Sequence, residues 1–277
     1  YSKNNSAILY CNNGMTADVT ISGRTLYKDG NWNTLCLPFD VTISGSVLDG
    51  ADVRTLERSI FNSTTGKLML GFSASPLTAI EAGKPYIVKW TTGEDISNPK
   101  FENVTINYDE ENPVIIIGEE DVDPIIFAGG YDQSIFPPYE EGYRQVLYMG
   151  ADNKLHYPDG SDNFTINCFR ASLDLQNDLE AGEWTSDADV RTYEIYFGNE
   201  LVQKGDVNKD GKVSVGDVTY LVNILTGRIT DYDTEAADVN GKSGANEADL
   251  TELIDILLGK TTVEGNHFEV DSEHKAR

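Results

Sequence analysis

The stretch that most constrains the fold of this chain is an acidic loop at residues 206–217. Oxygen-bearing side chains stand at loop positions 1, 3, 5, 9 and 12, and a glycine at position 6 permits a sharp turn. These residues are Asp206, Asn208, Asp210, Ser214 and Asp217, with Gly211 at the turn and Lys212 at position 7. A loop of this spacing wraps about 6–8 oxygens around a hard cation such as Ca²⁺, and position 7 contributes only its backbone carbonyl. One such run alone would favour a solvated turn, but this run is repeated in the same register with an apolar helical stripe after each copy, so we expect a calcium site here.

A second loop repeats the pattern in part. Asp238, Asn240, Asn246 and Asp249 match positions 1, 3, 9 and 12 of the first loop. Lys242 replaces the aspartate at position 5, and Ser243 replaces the glycine at position 6. Because Lys242 places a cation where a ligand should be, we expect a degraded or rearranged site whose calcium occupancy is an open question.

Each loop is followed by an apolar stripe with helical spacing. The stripes consist of Val218, Leu221, Val222 and Leu225 after the first loop, and of Leu250, Leu253, Ile254, Leu257 and Leu258 after the second. Gly227 and Gly259 each follow the last stripe residue, where helices commonly end. The repeated unit is therefore a loop, a short helix and a glycine.

This pair of units resembles the dockerin type I module over about residues 203–260. The resemblance rests on the Asp-Val-Asn-x-Asp-Gly-Lys-Val opening, the single helix after each loop, and aspartate at position 12. It implies calcium ligation by the loop residues named above and calcium-dependent docking onto a cohesin-like partner. In that family loop positions 10 and 11 select the partner, and here they are Val215, Gly216, Glu247 and Ala248. These pairs are not matched Ser/Thr pairs, so the partner specificity of cellulose-degrading assemblies is not expected.

Composition excludes several classes of function. The net charge of −25 disfavours binding to nucleic acids and to anionic lipid surfaces. Three cysteines without a Cys-x-x-Cys pair exclude a disulfide-dense scaffold or a thiolate zinc site, and buried free thiols are expected. No apolar stretch is long enough to span a membrane. Since calcium loops of this kind suit millimolar calcium, we expect a secreted or cell-surface bacterial protein.

Residues 1–200 have the pattern of an all-β sandwich-type domain of unassigned ligand. β-rich runs alternate with turn signals, and the stretch Asp49–Ile60 is expected to hold a short helix or an irregular loop. The predicted strands are Ala17–Ile21, Thr34–Phe39, Lys67–Phe72, Tyr86–Trp90, Asn103–Tyr108, Val114–Ile117, Pro124–Ala128, Gln145–Met149, Thr165–Arg170 and Thr192–Phe197. The predicted fold is thus this β domain, a small α-helical dockerin-like calcium domain at 203–260, and a polar tail at 261–277.

A second resemblance covers most of residues 24–175. Residues 31–41, 82–89, 146–158 and 166–171 are similar to a β-rich module of surface proteins from gut bacteria that forage on glycans. The resemblance implies a cellular location and a role near polysaccharide utilisation, but it implies no activity and no functional residues.

No catalytic motif is present, so we expect a non-catalytic protein. His156 alternates along a predicted strand, and the acidic pairs fall in turn-like segments. Four aromatic residues cluster near a Pro-Pro pair and are candidates for stacking on glycan, with burial in the core as the favoured alternative: Tyr131, Phe136, Tyr139 and Tyr143.

Three functions follow, in order of preference. The first is a docking or assembly module, the second is a glycan-binding accessory protein, and the third is an enzyme whose site a single sequence does not reveal. An intramolecular role, in which the calcium module braces the chain's own β domain, also stays open.

Overall fold

The structure is a computed structural model, and it describes residues 4–62, 65–109, 116–117, 124–136, 143–158, 163–182, 189–198, 204–210, 213–258, 260, 266–267 and 269–271. The chain divides into two compact units. Unit 1 comprises Tyr1–Arg58, Phe72–Ala181 and Phe268–Arg277, and unit 2 comprises Ser59–Gly71 and Gly182–His267.

The described part of residues 1–200 contains one helix, one 3₁₀ turn and short strands. The helix is α1 (Asn5–Cys11), and the 3₁₀ turn is Tyr143–Gln145. The first strands are β1 (Thr16–Thr20), β2 (Thr25–Leu26), β3 (Asn33–Cys36), β4 (Val41–Thr42), β5 (Asp52–Arg54), β6 (Leu56–Asn62), β7 (Lys67–Phe72), β8 (Ala79–Ile80), β9 (Pro85–Lys89), β10 (Ile96–Ser97) and β11 (Lys100–Thr105). The next are β12 (Ile116–Ile117), β13 (Ile125–Gly130), β14 (Ser134–Phe136), β15 (Val146–Met149), β16 (Leu155–Pro158), β17 (Phe164–Ile166), β18 (Arg170–Leu175), β19 (Glu180–Ala181), β20 (Asp189–Val190) and β21 (Thr192–Phe197).

After residue 203, the residues that the structure describes form three helices and two short strands. They are α2 (Val215–Leu225), α3 (Thr234–Ala237), α4 (Glu247–Leu257), β22 (Asn266–His267) and β23 (Glu269–Asp271). Strands in the N-terminal part and a small helical segment in the C-terminal part confirm the predicted fold class. None of the helices in the described part of the chain is long and apolar enough to cross a membrane.

Unit 1 is built from several small sheets and one larger sheet. The larger sheet has the order β12-β13-β18-β15-β16-β23, and a three-stranded sheet has the order β3-β9-β5. Strand β1 pairs with β11 in a two-stranded sheet. A core of buried side chains lies beneath β3, β5 and β9, where Leu35, Val53 and Val88 are fully buried. This burial explains why the β-branched and leucine-rich runs of the sequence form strands.

The expectation of a helix or irregular loop at Asp49–Ile60 is wrong. β5 and the first part of β6 occupy this stretch. β5 pairs with β9, and Val53 faces Val88 across the pair. The sequence shows no clean alternation here because β5 is only three residues long, so tertiary pairing decides the structure rather than local pattern.

The predicted strand Thr165–Arg170 is interrupted. β17 ends at Ile166 and β18 begins at Arg170. Between them Phe169 has a φ of 58°, in the left-handed region that bulky residues rarely adopt. The left-handed residue turns the chain, so the continuous β-rich run of the sequence becomes two strands of different sheets.

The segment expected to be a polar tail contributes two strands. β22 pairs with β21 in the sheet β22-β21-β7-β6, and β23 runs parallel to β16. The alternation of apolar and polar residues at 267–271 is the signal that the sequence analysis did not use.

Candidate metal centre

Three carboxylates of the first loop converge on one point. Ligand oxygens of Asp206, Asp210 and Asp217 all lie within 4.8 Å of one another. Asp217 is fully buried and Asp206 is 8% exposed, whereas Asp210 lies on the surface. Asp206 and Asp217 are the first and last positions of the loop, so their approach brings the two ends of the loop together.

The buried carboxylate of Asp217 is held by backbone donors from both sides of the loop. Its Oδ1 accepts from the backbone N–H of Asn208 at 3.0 Å, and its Oδ2 accepts from the backbone N–H of Ser214 at 2.8 Å. The Ser214 side chain in turn accepts from the N–H of Gly216 at 3.1 Å. Ser214 and Asp217 thus form a capping box at the start of α2, so Asp217 both begins the helix and closes the loop.

The exposed edge of the loop is ordered by the backbone of Asp210. Its N–H donates to Asp206 Oδ1 at 3.1 Å and to Asn208 Oδ1 at 2.9 Å. Lys209 just before it has a left-handed φ of 61°. The Lys209 ammonium lies 3.1 Å from an Asp233 carboxylate oxygen and so points away from the three carboxylates.

The donor set of the first loop fits calcium. Every side chain contributed by the described ligand positions offers oxygen, and three formal negative charges lie together in a partly buried place. Such a group of like charges is costly unless a cation compensates it. Lys212, predicted to contribute its carbonyl, lies outside the described residues, as does Gly211.

The second loop reproduces the hydrogen-bond frame of the first. Asp249 is fully buried, and its carboxylate accepts from the backbone N–H of Asn240 at 3.0 Å and of Asn246 at 2.8 Å. The Lys242 N–H donates to Asp238 Oδ1 at 2.9 Å and to Asn240 Oδ1 at 2.8 Å. At the described positions the two loops therefore make the same backbone hydrogen bonds, although their side chains differ.

The two loops differ in the groups that point into them. Within the described residues, the acidic trio of the first loop has no equivalent in the second, because position 5 is lysine. The Asn246 side-chain amide donates to the carbonyl of Gly244, at loop position 7, at 2.6 Å. The carbonyl oxygen that the loop pattern assigns to the cation therefore accepts a hydrogen bond from a side chain in this loop.

The helices that follow the loops pack together through their stripes. Leu221 and Leu253 are fully buried in a core that also includes Val207, Val213 and Val239 from the loops. Each loop therefore supplies side chains to the same core as the helices, which couples loop closure to helix packing.

Three predicted stripe residues are exposed. Val222 is 37% exposed, Ile254 is 38% exposed, and Leu258 is 61% exposed. Val222 and Ile254 each lie about 100° round the helix from the buried leucine that precedes them. Ile224, which is outside the predicted stripe, is buried instead, so the inward face of α2 is rotated relative to the prediction. Gly227 has the predicted left-handed φ, at 71°, and Gly259 lies outside the described residues.

The predicted partner-selecting residues lie at the exposed starts of α2 and α4. Val215 is 71% exposed, and Gly216, Glu247 and Ala248 are also exposed. Gly216 has little room for a side chain, because an added Cβ would lie 3.1 Å from Ser214 Oγ and 3.2 Å from Asn208 Nδ2.

The predicted glycan-stacking residues do not form one exposed cluster among the described residues. Tyr131 is 4% exposed and packs against the rings of Tyr108 and Phe169. The favoured alternative, burial in the core, therefore holds for Tyr131. Phe136 is partly buried against Phe164. Tyr139 and the side chain of Tyr143 lie outside the described residues.

A short helix before the second loop was missed by the sequence analysis. Asp233 caps α3 by accepting from the N–H groups of Glu235 and Ala236, and the Ala236 carbonyl accepts from Gly205 N–H at 3.0 Å. Hydrogen bonds from the Ala236 N–H and from Lys209 lower the pKa of Asp233. An aspartate followed by Thr-Glu is an N-cap signal that would have revealed this helix.

Residues 204–258 match the family model of the Dockerin type I domain. The match covers both loops, α2, α3 and α4, and it agrees with the predicted resemblance. No curated protein and no solved structure matches the chain. We refer to residues 204–258 as the dockerin domain below; domains of this family generally bind calcium and typically pair with cohesin-like partners.

Proposed function

We propose that the dockerin domain binds Ca²⁺ in its first loop and, once ordered, docks the chain onto a protein partner of the cohesin kind. The observation that carries the proposal is the convergence of the Asp206, Asp210 and Asp217 carboxylates within 4.8 Å. We further propose that the protein acts outside the cell in polysaccharide utilisation and is not itself an enzyme. The family match and the resemblance of residues 24–175 support this setting.

Calcium acts on this domain through charge and through folding. A domain of roughly 55 residues buries only a small core, and here the loops supply Val207, Val213 and Val239 to that core. Binding of the cation offsets the repulsion among the three carboxylates and so stabilises both the loop and the core beneath it. The ordered helix pair then presents a fixed surface to a partner.

The surface that we assign to docking combines the starts and the outer faces of α2 and α4. Val215, Val222, Ile254 and Leu258 are exposed apolar residues of this surface. Exposed apolar side chains at such positions are typical of protein interfaces rather than of an isolated surface. Glu247 stands where the first repeat has Val215, so the two repeats offer chemically different surfaces.

The test uses the full chain as bait for purified type I cohesin modules and for surface extracts of the source cell, with calcium and with chelator. Capture that requires calcium and is lost in Asp210→Ala supports the proposal. Asp231→Ala is the matched control, because Asp231 is an exposed acid of the same domain outside both loops. Equal capture by the wild type and by Asp210→Ala would refute a calcium-dependent docking role.

An intramolecular brace is the second candidate. The dockerin domain shares unit 2 with β7, β21 and β22, which is the observation that favours it. Hydrogen exchange in the backbone of β21, measured with and without calcium, separates the two functions. Protection of β21 that falls on chelation, without any calcium-dependent capture of a partner, would favour the brace.

A further inference from the structure

Unit 1 contains a cavity of about 480 Å³ that the dockerin function does not involve. Its lining consists of one side of α1 with the following Asn12, residues 17–24, Ile106 and residues 167–170. Its volume lies in the range typical of pockets for small molecules, about 300–1,000 Å³.

The wall formed by residues 167–170 is fixed in an unfavourable backbone conformation. Phe169 has a φ of 58°, in the left-handed region that is unfavourable for a bulky non-glycine residue. The conformation is held because Cys36 N–H donates to the Phe169 carbonyl at 3.2 Å and because the ring packs 6.2 Å from Tyr131. Strain that the surroundings maintain at a cavity wall is typical of binding sites.

The charge around the cavity is opposite to that of the chain. Arg24, which is 3% exposed, and Arg170 both line it. The single acidic lining residue, Asp18, is paired with Lys100 at 2.9 Å. A chain with a net charge of −25 therefore places two guanidinium groups at a cavity whose only carboxylate is already compensated.

The remaining polar groups suit a ligand with hydroxyl groups. Asn12 donates its amide to the Ile8 carbonyl at 2.7 Å, so its amide oxygen stays available as an acceptor. Asn167 accepts from Gln133 at 3.1 Å, so its NH₂ group stays available as a donor. Ile8 and Phe169 add apolar surface to the lining. Donors, acceptors and an apolar side together match a hydroxylated ring.

We propose that this cavity binds a small hydroxylated carboxylate of about the size of a hexuronic acid. Guanidinium groups favour the carboxylate, the asparagine amides bind hydroxyl groups, and the Phe169 side provides an apolar contact for the ring. Binding at this cavity is independent of calcium and of the dockerin domain.

Calorimetric titration of the calcium-saturated full chain with D-galacturonate and D-galactose tests the proposal. Galacturonate has a carboxylate where galactose has a hydroxymethyl group, so the comparison isolates the role of the ligand's charge. We expect galacturonate to bind at least about tenfold more tightly than galactose, because hydrogen bonds to charged groups are the stronger ones. Equal affinities, or no binding of galacturonate at millimolar concentration, would overturn the proposal.

Two variants and a control locate the binding to this cavity. Arg170→Gln removes one guanidinium and should weaken galacturonate binding about tenfold. Ile8→Glu adds a negative charge at the exposed rim without disturbing the core, since Ile8 is 53% exposed, and it should weaken binding as well. Tyr10→Glu adds the same charge on the same helix outside the cavity lining, at a residue that is 55% exposed. Equal effects of Ile8→Glu and Tyr10→Glu would refute the assignment even if Arg170→Gln failed to fold.

Discussion

A partly buried aspartate on the larger sheet of unit 1 should make the stability of this unit depend on pH. Asp174 lies on β18 opposite Ile126 of β13 and Val146 of β15, which are 7% and 8% exposed. Its Oδ1 has no hydrogen-bond partner among the described residues. Burial raises the pKa of Asp174 from 3.8 to about 6, although a hydrogen bond from Ser172 partly offsets the rise.

The size of the effect follows from the two pKa values. The pKa of Asp174 is about 2 units higher in the folded state than the ordinary value of 3.8, and each unit corresponds to about 1.4 kcal/mol. Keeping Asp174 ionised therefore costs the folded state about 3 kcal/mol. Because the pKa of the folded state is the higher one, the favourable contribution of Asp174 is complete below about pH 4. It is lost as the pH rises through about 6, and none of it is left above about pH 7.

Asp174→Asn removes the ionisable group and keeps its shape. We expect the variant to match the wild type at pH 4 and to exceed its free energy of unfolding by up to about 3 kcal/mol at pH 8. Urea unfolding at both pH values with saturating calcium, followed by tryptophan fluorescence, measures the difference. Glu57→Gln removes an exposed acid of the same unit and should show no such difference. An identical gap between Asp174→Asn and the wild type at the two pH values would refute the reasoning.

Three further predictions concern the dockerin domain and the thiols. Lys242→Asp supplies the second loop with the missing carboxylate, so the number of calcium ions bound per chain, measured by equilibrium dialysis, should rise from one to two. A number that stays at one would contradict the idea that Lys242 prevents calcium binding in this loop. Gly205→Ala should lower the melting temperature of the domain more than Gly227→Ala does. Both positions have positive φ, but only at Gly205 would an added Cβ contact neighbouring side chains, at 3.2 Å. Equal decreases in melting temperature would show that backbone strain alone is the cause and would contradict the role of this contact. The expectation of buried thiols holds for Cys36 and Cys168 but is wrong for Cys11, which is exposed. Burial raises the pKa of Cys36 to about 12, so a thiol reagent at pH 8 should modify Cys11 within minutes and Cys36 only after unfolding; fast modification of Cys36 in the native chain would contradict its burial.

The convergence of the first-loop carboxylates was predictable because these residues are close in sequence. The spacing of Asp206, Asp210 and Asp217 brings them together once the loop closes, and no distant residue is needed. The absence of a carboxylate at position 5 of the second loop follows from Lys242 alone. The hydrogen bond from the Asn246 side-chain amide to the Gly244 carbonyl could not be predicted. The side chain of Asn246 has both an NH₂ donor and an oxygen acceptor, and only the folded loop determines which of them faces this carbonyl.

The cavity in unit 1 could not be predicted. It brings together Ile8, Arg24 and Arg170, which are remote in sequence and share no motif. Helix α1 was missed because Ile8 and Tyr10 face solvent and leave Leu9 as its one buried residue, so the helix shows no apolar stripe. The break at Phe169 was hidden because a bulky aromatic residue gives no sequence signal for a left-handed backbone.

The way Asp217 is held has a kinetic consequence for the metal. Its two oxygens are oriented by backbone N–H groups that are part of the folded loop and helix, so an arriving ion finds this ligand already aimed. Asp210 is exposed at the edge of the loop, where its Oδ2 accepts from the side-chain amide of Asn208 at 3.0 Å. Arrival of the ion should therefore be limited by the loss of its own hydration water rather than by a search of the buried ligands. Departure should begin at Asp210, and the residence time of the ion should be set by the outermost carboxylate rather than by the deepest one.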